Sequence, residues 1–156
     1  MNRLEVPVSR QVLFATGDVK LWVEMDLLLK DDAGRWRKRS FRVDTGSEIT
    51  TFPAYDAKRL GLPMPRQVSR GATHAQTGLE VRSGVLRFRI DGMDQTVYVV
   101  PCLFLGNPDA PPDPARPATR PRKLLQPFHL LDWLRFTLDK NPAVGLLYGE
   151  LVVEKR

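Results

Sequence analysis

The chain has 156 residues, 42% hydrophobic and 27% charged, which suits one globular domain with a core of its own and excludes a low-complexity chain. Net charge is +6, with 17 arginines against 7 lysines, but apart from Arg35, Arg37, Lys38, Arg39 and Arg42 the positive residues are scattered and no nucleic-acid motif accompanies them, so they read as solvated surface. The lone cysteine, Cys102, excludes an internal disulfide, and with only His74 and His129 beside it the chain lacks the ligand set of a structural zinc site.

Residues 1–20 hold one short apolar run, Val12 to Ala15, below the length of a signal-peptide core. Alternating Val19, Leu21, Val23 and Met25 predict one long strand over 18–29. Asp31-Asp32-Ala33-Gly34 predicts a hairpin turn, with the return strand over 36–43. That strand runs directly into Asp44-Thr45-Gly46-Ser47, a group of short polar residues and glycine that favours a tight turn. Residues 53–60 predict a two-turn helix, opened by Pro53 and closed by Gly61.

Residues 68–79 are polar and glycine-flanked, poorly built for a core, and read as an exposed hairpin containing Gly71, Ala72, Thr73, His74 and Gln76. Leu86, Phe88 and Ile90 alternate with outward arginines in a strand over 85–90. A turn at 91–94 leads to a second strand over 96–101. The longest apolar stretch, 97–106, is broken by Pro101 and cannot span a bilayer. Residues 107–123 carry six of the 13 prolines without apolar period, and predict an extended or disordered loop, most simply an insertion. Next come the apolar pair Leu124-Leu125, then Gln126, a leucine-rich run over 130–134 and a segment that ends at Asp139. A final strand is expected over 145–154; an unpaired apolar strand there is a hazard that a second copy would relieve.

A strand that delivers an acid into Asp44-Thr45-Gly46-Ser47, followed by a strand, a short helix and the later Leu124-Leu125 segment, resembles the retropepsin-like aspartic proteases, single-lobed chains of the bacterial type that work as homodimers. The resemblance spans roughly residues 19–139, and after the pair Leu124-Leu125 it implies a short helix over 130–134 and a strand ending at Asp139. It implies an all-β-dominated, closed acid-protease barrel with one or two short helices, and an Asp44 dyad shared by two copies. Two adjacent carboxylates cannot both ionise comfortably, so one acts as acid and the other as base on an attacking water. Thr45 would then bond across the interface, Gly46 would supply an amide and room for close approach, and Ser47 could donate to the outer oxygen of Asp44. Residues 71–76 would be the flap over the substrate; an ordinary surface hairpin is the equal alternative. The family's glycine after the apolar pair is replaced by Gln126, which bears on the geometry beside the catalytic loop.

The expected activity is an aspartic endopeptidase acting on peptide or protein substrates, cytoplasmic, with no cofactor, metal, membrane or nucleic-acid partner. The rival reading is a catalytically silent dimeric module of the same fold that binds peptides or a protein. A Cys102–histidine pair has no supporting signature, and a buried thiol is the expected fate of that residue.

Overall fold

The computed structural model describes residues 2–69, 78–139 and 149–156, so the expected flap residues Gly71, Ala72, Thr73, His74 and Gln76 lie outside the described residues. Eleven strands are named in chain order among them: β1 (Arg3–Pro7), β2 (Ser9–Val12), β3 (Val19–Trp22), β4 (Glu24–Lys30), β5 (Trp36–Val43), β6 (Thr50–Pro53), β7 (Val81–Ile90), β8 (Tyr98–Leu105), β9 (Leu124–Leu125), β10 (Leu134–Asp139) and β11 (Glu150–Lys155). Six of them close into a barrel in the order β4-β5-β9-β6-β8-β7. The fold is therefore the all-β-dominated, closed architecture that the family resemblance implies.

The barrel's interior follows from alternation along each strand. β4 sends Met25, Leu27 and Leu29 inward, β7 sends Leu86, Phe88 and Ile90, and β8 sends Val100, Cys102 and Phe104; all are buried. Phe41 of β5 stacks on Phe52 of β6 with ring centroids 5.6 Å apart. Each such ring, fully withdrawn from water, stabilises the fold by about 1.5–3 kcal/mol.

The helix α1 (Ala54–Leu60) buries Ala54, Ala57 and Leu60, three positions spaced along one face. Gly61 ends it in the left-handed region at φ 71°, with its N–H and that of Leu62 returning to Lys58 and Ala57 carbonyls. The positive φ favours glycine there, and a Cβ would lie 2.7 Å from an Asp32 carboxylate oxygen, so that side chain would have to move aside.

Several expectations are corrected. The single strand over 18–29 is two strands, β3 and β4, interrupted at Val23. β3 leaves the barrel to pair with β2 in a projecting hairpin, so Val19 and Leu21 are exposed instead of facing the core. β8 continues past Pro101 to Leu105. The proline is tolerated because the β6 ladder begins one residue later, at Thr50–Cys102, so its missing N–H breaks no β6 pairing.

The proline-rich segment 107–123 is anchored: Asp109 pairs with Lys58 of α1, a short 3-10 turn spans Pro117–Thr119, and the Thr51 hydroxyl donates to the Arg122 carbonyl at 2.7 Å. The helix expected over 130–134 is a 3-10 turn that starts three residues earlier, Pro127–Leu130, because Pro127 presets its first φ and Leu134 already belongs to β10. Finally, the C-terminal strand is not left unpaired. β11 lies between β1 and β10, hydrogen-bonded to both, so this sheet is completed within one chain.

An ion pair fastens that terminal sheet to the barrel. Lys155 of β11 bonds Asp94, in the β7–β8 turn, at 2.6 Å, and Asp94 also accepts the Thr96 N–H at 3.1 Å. The lysine first, and Thr96 after it, hold the Asp94 carboxyl down at about 2. A carboxylate with a depressed native pKa stabilises above its unfolded value and loses that contribution as pH falls through the native one. Asp94→Asn keeps the Thr96 acceptor and removes the charge. It should lower the urea midpoint at neutral pH, and the gap from wild type should close between about pH 4 and pH 2.

Candidate active site

Asp44 is placed by β9. The Arg42 and Asp44 N–H groups donate to the carbonyls of Lys123 and Leu125, both at 3.0 Å, so the last turn of β5 is stitched to the two-residue strand. Asp44 is half-buried at the strand end, and its Oδ1 accepts the Gly46 N–H at 2.9 Å, closing an Asx turn. A Cβ on Gly46 would lie 3.2 Å from that same oxygen, close enough to displace the carboxylate. Thr45 and Gly46 are exposed beside it, as is Glu48.

Ser47 takes a different part from the one expected. Its hydroxyl donates to the Ile49 carbonyl at 2.6 Å, a local bond within the turn, and among the described residues no side chain donates to the Asp44 carboxylate. A short hydroxyl side chain satisfies the nearest backbone carbonyl before it reaches a more distant acceptor.

Gln126 is a residue that sequence reasoning singled out but whose bonding role it missed. Its side chain is buried, and every polar atom of it is used. Nε2 donates to the Ser47 carbonyl and, at 3.4 Å, to the Thr45 carbonyl, while Oε1 accepts the Phe128 N–H at 2.8 Å. Its backbone N–H donates to the Thr50 hydroxyl of β6 at 3.0 Å. The side chain thus caps the 3-10 turn with its oxygen and holds both shoulders of the Asp44 turn with its nitrogen. A glycine here would leave the Thr45 and Ser47 carbonyls without this donor. The signal was present: an amide set between Leu124-Leu125 and Pro127-Phe128 is a polar group in a buried run, which needs named partners.

The remaining candidates disperse. Leu125 is a core residue and Leu124 is half-buried next to it. Cys102 is fully enclosed in the barrel, where burial pushes its thiol far up, while His129 is exposed on the 3-10 turn. Asp132 and Asp139 are exposed, the latter at the end of β10. Among the described residues no group of three His, Cys, Asp or Glu could hold a metal ion, and no helix is long and apolar enough to cross a membrane.

This architecture has a counterpart of known structure. A retropepsin-like aspartic protease from Rickettsia conorii superposes with a TM-score of 0.54 over 97% of this chain and 89% of that one, at 14% identity. The chain has a retropepsin-like fold. At that identity the likeness carries architecture and not activity. No family model matches the sequence, and no curated protein does. Within this retropepsin-like fold the amide of Gln126 lies beside the acid turn, where the family resemblance leads one to expect glycine.

Replacing Gln126 with Ala should cost about 1–3 kcal/mol, the penalty for buried carbonyls left without a donor. Gln126→Glu, which keeps the acceptor and removes the donor, should cost a similar amount at neutral pH. Urea denaturation measures both, and hydrogen exchange at the Gly46 amide should accelerate in each, because its acceptor sits on the loosened turn.

Proposed function

We propose that the protein is an aspartic endopeptidase that acts as a homodimer, with Asp44 and the partner's Asp44 forming the catalytic dyad. The observation that carries this reading is the Asp44 turn itself: a half-buried carboxylate at a strand end, fixed by a backbone amide, with exposed Thr45 and Gly46 beside it. One chain supplies one such carboxylate. Hydrolysis by this chemistry needs two within hydrogen-bond reach, sharing a proton, so the site is incomplete without a second copy.

In the dyad the ionised carboxylate takes a proton from a water molecule, which attacks the peptide carbonyl carbon. The protonated partner donates to the carbonyl oxygen, giving a neutral tetrahedral diol. In the collapse of that diol the protonated aspartate gives its proton to the nitrogen, a diol hydroxyl gives its proton to the ionised aspartate, and the C–N bond breaks, which restores the dyad with one shared proton. The apparent pKa values belong to the pair and not to either aspartate.

Support for the assembly comes from the same end of the barrel. Phe128 lies two residues after Gln126, whose amide grips the acid turn, and is 60% exposed; Leu131 and Trp133, also exposed, follow it. Aromatic groups of this kind are what protein interfaces bury. The terminal sheet gives no such support, since its strands are paired within the chain. Thr45 would bond its counterpart across the two-fold axis, extended peptides or proteins would be the substrates, and residues 71–76 would serve as flap. The buried, solitary Cys102 is in keeping with a cytoplasmic setting, where disulfides do not form.

Asp44→Asn should abolish cleavage of a mixed peptide library while leaving the fold intact by circular dichroism. Mixing that variant with wild type at constant total protein distinguishes a shared site from an independent one. Activity should fall with the square of the wild-type fraction, whereas a fall in simple proportion would rule out the shared dyad. A folded, dimeric wild type that cleaves nothing would favour the silent peptide-binding module.

A further inference from the structure

Away from Asp44 the barrel wall carries a cleft of about 430 Å³, set between β5, the start of α1 and the anchored proline-rich segment. None of Asp44, Thr45, Gly46 or Ser47 lines it. Five cationic side chains do: Lys20, Arg42, Arg120, Arg122 and Lys123, against two carboxylates, Glu24 and Asp56. Among the described residues none of the five cations has an ion-pair partner, unlike Arg35 and Lys38 of the same basic run, which pair with Asp31 and Asp91. Arg42 is instead held with its guanidinium carbon 5.3 Å from the centre of the Trp22 ring, which orients the charge without neutralising it.

The floor of the cleft has a second property. Arg42 and Asp44 direct their N–H groups to β9, whereas Val43 directs its own to Val23 on the opposite side. Backbone groups alternate sides along a strand, so Ser40 faces the same way as Arg42. β9 has only two residues, paired with Arg42 and Val43, and does not reach Ser40. Ser40 lines the cleft, and its N–H and C=O form the open end of a strand edge. Pro112, Pro117, Pro121 and Tyr55 supply apolar walls around that edge.

We propose that this cleft binds an extended, acidic peptide segment, which adds to the open edge of β5 and pairs its carboxylates with the surrounding cations. Strand addition supplies main-chain affinity, and the side pockets select for charge. A phosphate-bearing polymer would use the cations but not the strand edge or the apolar walls, so a peptide fits the whole lining. The interaction goes beyond the proposed peptidase activity and does not depend on it. A substrate or a regulatory partner could be held here while the Asp44 end remains free.

The test is fluorescence anisotropy with a short fluorescein-labelled peptide alternating Glu and Val. It should bind saturably, weaken with added salt, and lose at least about ten-fold in affinity with the double variant Arg120→Glu, Arg122→Glu. N-methylation of alternate backbone nitrogens of the peptide should weaken binding similarly, which a purely ionic contact would not do. A peptide with Lys in place of Glu should not bind. The proposal is overturned by absence of saturable binding, by binding that the double variant leaves unchanged, or by an oligothymidylate that binds more tightly than the acidic peptide. Because cleavage is not read, inactivity at Asp44 and failure of this cleft give separate outcomes.

Discussion

A strand of two residues, Leu124 and Leu125, closes the barrel. It pairs in parallel with β5 and through Thr51 with β6, and without it those two strands would have no common neighbour. The same short ladder fixes the Asp44 N–H, and the next residue in the chain is Gln126. The acid turn therefore owes its position less to its own four residues than to a segment some eighty positions away. Non-local pairing of this kind brings its entropic cost early in folding, before the contacts it enables can offset it. The placing of the acid turn and the closure of the core are consequently one structural event.

Much of this was legible beforehand because alternation and turn chemistry are local. Leu86, Phe88 and Ile90 could be assigned inward from period alone, and Gly61 ended its helix as a glycine in that place should. What escaped was decided by partners distant in sequence. Val19 and Leu21 alternate as well as any core strand, but β2 draws them into a hairpin outside the barrel. Pro101 reads as a break, and does not act as one because β6 stops a residue short of it. The terminal strand looked unpaired only because the N-terminal segment that covers it is about 150 residues away.

The acid turn shows the same division. Asp44 and its turn could be read directly, whereas the hydroxyl of Ser47 and the amide of Gln126 could not be assigned partners without coordinates. Gln126 reads as a departure that disturbs the site. In place it satisfies two carbonyls and an N–H group with a single side chain. A polar residue in a buried position is an obligation to be met, and here meeting it ties three elements together.

The terminal sheet, joining both ends of the chain, and the Asp94–Lys155 pair that fastens it leave the core with a single reactive group inside it. Cys102 is the chain's only thiol and has no solvent access within the barrel. A thiol reagent can reach it only when the strands part. Its rate of alkylation is therefore a direct clock for spontaneous opening of the barrel, readable by mass alone and with no label introduced.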